Sequence, residues 1–175
     1  VLKVMPADAK VLINGKQQPY FERGVIHALL DPGTYSYTIS AEDYHDENGK
    51  FVIADGKVER TIRLRPAYGW LAIDDYEEVR GAKVYINGKF IGTAPLKSDR
   101  LPSGEYNIRI DQKLYKPFEG KIVISDNETL DYAPTLVADF ANVALNVDSN
   151  SDIYINNQWK GKGHWKGTLS TGTYT

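Results

Sequence analysis

Ala82-Lys83-Val84-Tyr85-Ile86-Asn87-Gly88-Lys89 is the stretch on which the fold turns. Val84 and Ile86 alternate with Lys83 and Tyr85, the period-two pattern of a half-buried strand. Asn87-Gly88 closes it with the strongest short hairpin signal, because a type I′ turn needs positive φ at both central residues. The same phrase stands earlier as Ala9-Lys10-Val11-Leu12-Ile13-Asn14-Gly15-Lys16. It stands later, weakened, as Ser151-Asp152-Ile153-Tyr154-Ile155-Asn156-Asn157-Gln158. Asn tolerates the left-handed region, so Asn156-Asn157 can make the same turn.

Working outward, each phrase is followed by a second block: Leu30-Asp31-Pro32-Gly33-Thr34-Tyr35, Leu101-Pro102-Ser103-Gly104-Glu105-Tyr106 and Leu169-Ser170-Thr171-Gly172-Thr173-Tyr174. The glycines of these blocks lie 71 and then 68 residues apart. Tyr44 and Tyr115, Val52 and Val123, and Ile53 and Ile124 also keep the 71-residue offset. This period exceeds a solenoid unit of roughly 20–50 residues and suits small domains in tandem. The expected division is 1–66, 67–140 and a partial third copy over 141–175. Its boundaries fall near Arg65-Pro66-Ala67 and Asp139-Phe140-Ala141.

Every copy reads as strands. In Asp31-Pro32-Gly33, Pro sets φ and Gly is expected at positive φ. Behind that turn Tyr35, Tyr37 and Ile39 share a face, as do Tyr106, Ile108 and Ile110, with Tyr174 in the same phase. Phe51-Val52-Ile53 and Ile122-Val123-Ile124 predict a further strand, closed by turns at Asp55-Gly56 and Asp126-Asn127. No segment holds a 3.6-residue period for ten residues, and Ala72 to Arg80 is read as an acidic loop. Short strands with turn signals every 8–12 residues predict an all-β chain of tandem small β-sandwich modules.

Composition narrows the function classes. The 175 residues are 42% hydrophobic and 25% charged, as in a globular protein. No apolar run approaches the roughly 18 residues of a membrane-spanning helix. There is no cysteine, hence no disulfide and no thiolate chemistry. Lys plus Arg number 21 against 23 Asp plus Glu, so the basic footprint of a nucleic-acid binder is missing. Charge by copy is 9 basic and 9 acidic for 1–66, 9 and 12 for 67–140, and 3 and 2 for 141–175. Val1 at the start and Gly172-Thr173-Tyr174-Thr175 at the end, which reads as a strand beginning, lead us to expect a segment of something longer.

The strand, the Asn87-Gly88 turn, Gly92-Thr93-Ala94-Pro95 and Leu101-Pro102-Ser103-Gly104-Glu105-Tyr106 together resemble the PEGA domain. Copies one and three lack the Gly-Thr-x-Pro segment, having Phe21-Glu22-Arg23-Gly24-Val25 and Gly161-Lys162-Gly163-His164-Trp165 in its place. The resemblance implies a small β-sandwich related to the transthyretin-like and carboxypeptidase-regulatory-like folds. It further implies a bacterial surface or periplasmic setting, of the Bacteroides type, with no catalytic residues to carry over.

Chemistry-bearing motifs are weak. His27, His45 and His164 fall in no metal spacing. The run Glu42-Asp43-Tyr44-His45-Asp46-Glu47 and the loop Asp74-Asp75-Tyr76-Glu77-Glu78 read as solvated. Asp148-x-Asn150-x-Asp152 opens like a calcium loop, but Ile153 replaces the required glycine and Trp159 the bidentate Glu. No nucleophile elbow, P-loop or dinucleotide fingerprint occurs. The expectation is therefore no enzyme, no cofactor and no metal. The 12 tyrosines and three tryptophans are the remaining signal, largely accounted for by strand propensity and cross-strand packing. Trp159, Trp165 and Tyr154 are the candidate ligand-binding residues of an alternative, a carbohydrate-binding module of a surface polysaccharide system. The favoured reading is a non-catalytic, extracytoplasmic modular spacer or adhesion module. Its partners would be other domains of the same longer protein, cell-surface proteins or a glycan, and not nucleic acid.

Overall fold

The computed structural model describes all 175 residues, Val1–Thr175, as strands and loops without a helix. No helix is therefore long and apolar enough to cross a membrane. The chain forms two compact units. One comprises Val1–Leu71, Ser98–Glu105 and Val123–Leu130; the other comprises Ala72–Lys97, Tyr106–Ile122 and Asp131–Thr175.

In the first unit, β1 (Leu2–Met5), β2 (Lys10–Ile13), β3 (Lys16–Gln17), β4 (Val25–Ile26), β5 (Gly33–Ser40), β6 (Glu47–Ile53) and β7 (Arg60–Arg63) form two sheets. Their orders are β4-β1-β7 and β3-β2-β5-β6. β1 and β7 run parallel, pairing Leu2 with Arg60 through Met5 with Arg63. Val4, Ala9, Val11, Ile26, Ile39 and Leu64 make the core, and Tyr37 and Tyr44 pack on its margin. The alternation along β2 places Val11 and Ile13 inside, as read from sequence.

Strand β8 (Tyr68–Ile73) follows, then β9 (Lys83–Ile86), β10 (Lys89–Thr93), β11 (Leu96–Lys97), β12 (Leu101–Pro102), β13 (Gly104–Asp111), β14 (Phe118–Ile124) and β15 (Thr129–Asp131). The order β10-β9-β13-β14 repeats β3-β2-β5-β6, while β8 pairs with β11, β12 and β15. In the second unit Val84, Ile86, Ile108, Ile110 and Ile122 are buried. Finally β16 (Phe140–Asn146) pairs with β19 (His164–Ser170), and β17 (Asp152–Ile155) with β18 (Gln158–Lys162). Ile153 and Ile155 point inward.

The three hairpin turns have the expected backbone: φ is 46° and 77° at Asn14-Gly15, 47° and 78° at Asn87-Gly88, and 48° and 62° at Asn156-Asn157. Each first Asn also accepts a backbone N–H on its side-chain oxygen, from Ser36 (2.9 Å), Asn107 (2.9 Å) and Thr175 (3.0 Å). In the first two turns the Asn thus serves both the turn and the neighbouring strand, whereas Asn156 holds Thr175, which lies outside any strand.

Three local expectations fail. Gly33 does not sit at positive φ; it already belongs to β5 and pairs with Ile53, so the reversal is completed before it. Tyr174 lies outside any strand, its hydroxyl donating to the Ser170 carbonyl oxygen at 2.7 Å. Ala72 and Ile73 belong to β8, not to the acidic loop. That loop is pinned by buried Val79 and by Arg80 Nε donating to Asp75 Oδ1 at 2.8 Å.

Candidate functional site: two matching joints

Where β7 leads to β8, the loop 41–45 grips the connecting chain. The Tyr44 amide donates to the Ala41 carbonyl (3.2 Å), which turns the loop and leaves Asp43 at φ 62°. Tyr44 then bridges to Pro66, the His45 amide donates to the Arg65 carbonyl (2.9 Å), and the Ala67 amide donates to the Asp43 carbonyl (2.8 Å). The Ser103 amide closes the arrangement from the far side on the Ala67 carbonyl (2.9 Å). Rings of Tyr44 and Tyr68 meet edge to face, 5.8 Å apart at 85°.

The same set recurs between β15 and β16. The Tyr115 amide donates to the Gln112 carbonyl (3.2 Å), with Leu114 at φ 68°. Tyr115 bridges to Ala138, the Lys116 amide donates to Val137 (2.8 Å), and the Asp139 amide donates to Leu114 (2.8 Å). The Thr171 amide closes on the Asp139 carbonyl at 2.9 Å, and the Tyr115 and Phe140 rings meet at 5.8 Å and 74°. A branched residue such as Leu114 is a real outlier at positive φ. Such strain persists only where surrounding contacts over-determine it, and the paired hydrogen bonds supply that.

The first joint carries polar additions. Asp126 Oδ1 accepts from Ser103 Oγ (2.6 Å), and Oδ2 lies 2.8 Å from His45 Nε2 and 3.3 Å from Arg65 Nε. The Ser103 hydroxyl first, then His45 and Arg65, hold the Asp126 carboxyl below the usual range against an opposing desolvation cost. The Arg100 guanidinium sits 4.4 Å over the Tyr68 ring, a cation–π contact. A hydrogen bond with Tyr68, then burial, raises the Tyr44 phenol above its ordinary value. The acidic run around His45, read from sequence as solvated, therefore contains three joint residues, Asp43, Tyr44 and His45. The signal for them was the shared offset of Tyr44 and Tyr115.

The aromatic candidates are distributed as follows. Tyr154 and Trp159 are direct cross-strand partners on β17 and β18, 57% and 62% exposed. Trp159 Nε1 donates to Asp152 Oδ1 at 3.2 Å, which occupies one carboxylate of the calcium-like segment. Trp165 lies on the half-buried face of β19, opposite Leu145, with its ring laid over Gly167. The position equivalent to Tyr154 and Trp159 on β9 and β10 holds Tyr85 and Phe90, edge to face at 5.5 Å.

Residues 77–138 match the family model of the PEGA domain. No curated protein matches the chain. Among solved structures, one titled "The Bacillus anthracis TIE protein" is similar over 99% of this chain and 43% of its own, at 15% identity and a TM-score of 0.39. This chain thus spans less than half the length of that structure.

Proposed function

We propose that the chain is a non-catalytic, extracytoplasmic modular protein that acts as a spacer, with modules over 1–66, 67–140 and 141–175 joined through hydrogen-bonded connections. The observation that carries this reading is the recurrence of one hydrogen-bond set and one edge-to-face ring contact at both joints. A free linker needs neither, since Gly- or Ser-rich connections serve where modules move independently. A spacer, by contrast, must hold direction between its ends. The PEGA match over 77–138 supports a surface or periplasmic setting, with further domains of the same protein or cell-surface proteins as partners.

The test uses two cysteines introduced into a chain that has none. Spin labels at Lys50→Cys and Glu105→Cys bracket the first joint. A single narrow distance distribution is expected. A broad distribution spanning the range of a flexible tether would overturn the proposal.

A further inference from the structure

The outer face of the β9–β13 ladder is interior to its sheet: β9 lies between β10 and β13, and β13 between β9 and β14. Its backbone groups are used by both neighbours, so a peptide cannot add there as a strand. Anything held on this face is held by side chains. They form a groove of about 450 Å³ with Lys83, Tyr85, Arg109, Asp111 and Lys113 in its lining, within the size range of small-ligand sites. Tyr85 stands directly opposite Arg109, and Lys83 opposite Asp111. The Tyr85 ring is braced edge-on by Phe90. The Arg109 fork is oriented by Asp111 (Nε to Oδ1, 2.9 Å) and by Glu119 (Nη1 to Oε1, 3.6 Å).

The chain contains its own control. In the sheet β3-β2-β5-β6 the same register positions hold Leu12 opposite Thr38 and Lys10 opposite Ser40, and Glu42 stands where Lys113 does. Thr38 Oγ1 donates to Asn48 Oδ1 at 2.7 Å, doing between neutral groups what the Arg109 ion pairs do. The strand order forms without the aromatic, the guanidinium or the second lysine, so the fold does not require them. Residues 67–140 carry 9 basic and 12 acidic side chains, yet three of those cations, Lys83, Arg109 and Lys113, gather on this groove against two carboxylates, Asp111 and Glu119.

We propose that this groove binds a carboxylate-bearing glycan segment, a uronate sugar laying its apolar C–H face on Tyr85 and its carboxylate toward Arg109, Lys83 and Lys113. An aromatic plane suits the ring, and a guanidinium fork suits a carboxylate. The groove borders the second joint, since Gln112 and Tyr115 also line it, but the ligand proposed for it does not depend on the spacer reading.

The test is a titration of the ¹⁵N-labelled 175-residue chain with trigalacturonate and trimannuronate, alongside maltotriose and a pentaglutamate peptide. Saturable amide shifts at 83–85 and 109–113 are expected with at least one uronate trimer and not with maltotriose or pentaglutamate. Tyr85→Leu with Arg109→Thr installs the residues of the first copy, which that strand arrangement accommodates. This pair should weaken binding about tenfold or more, the scale of one lost aromatic contact, with the other amides unmoved. Lys113→Glu, on the loop, should do likewise. Absence of saturable shifts with both uronates overturns the proposal. So does equal binding of maltotriose or pentaglutamate, or binding that survives these substitutions.

Discussion

Leu114 offers a test in which sign matters more than size. Its φ of 68° places a branched side chain in the left-handed region, which costs an L-residue about 1–2 kcal/mol. Glycine adopts that conformation freely, but its extra freedom in the unfolded chain offsets about 0.5–1 kcal/mol of the relief. Leu114→Ala and Leu114→Gly both remove the side chain beyond Cβ, so the loss of packing cancels when the two are compared. What remains is strain relief less unfolded-state entropy, and the glycine variant should be the more stable by about 0.5–1 kcal/mol. At Thr34, an exposed position on β5 with ordinary backbone, the same Ala–Gly pair should give the opposite sign at about 0.5–1 kcal/mol. Urea midpoints followed by far-ultraviolet circular dichroism measure both pairs. Repeating the comparison at Asp43, φ 62°, should reproduce the inversion at the first joint. An alanine variant as stable as the glycine variant at both positions would refute the argument that the joints hold these residues under strain.

Three further outcomes follow from the same contacts. Tyr44→Ala removes a half-buried ring and its edge contact with Tyr68, and should cost about 2 kcal/mol, roughly half the loss for a fully buried aromatic. Gly69 lies against the backbone carbonyls of Ser125 and Glu128 with no room for a Cβ, so Gly69→Ala should cost about 1–3 kcal/mol by overpacking, read from the thermal midpoint. Asp126 has a depressed carboxyl pKa, so its contribution is present above the unfolded carboxylate value and lost as pH falls through the folded one. Asp126→Asn should therefore flatten that acid limb of the stability profile, measured as urea midpoints against pH.

The strands were legible because their information is local. Val11 and Ile13, Val84 and Ile86, and Ile153 and Ile155 alternate with outward residues, and all six are buried. The Asn-led turns were legible because few residues tolerate two successive positive φ values. The parallel pairing of β1 with β7 was not, since its partners lie almost sixty residues apart and no turn announces it. Neither was the reversal before Gly33, where Pro-Gly chemistry permits a positive φ that the ladder to Ile53 makes unnecessary. The joints fall between these cases. Tyr44 and Tyr115 were visible as an offset, but their role depends on backbone groups of a distant linker, which carry no side-chain signature. Tyr154 and Trp159 emerged as partners, whereas Trp165 faces the half-buried side, a distinction set by the register of β19.

Amide hydrogen exchange reads the joints most directly. The amides of His45, Ala67 and Ser103 donate across the first joint, and those of Lys116, Asp139 and Thr171 across the second. All six should exchange as slowly as neighbouring strand amides such as those of Ile39 and Ile108. Tyr44→Ala should release the first three and leave the second three protected. Exchange of all six at the rate of exposed loop amides in the unmodified chain would contradict the claim that these joints are built to hold.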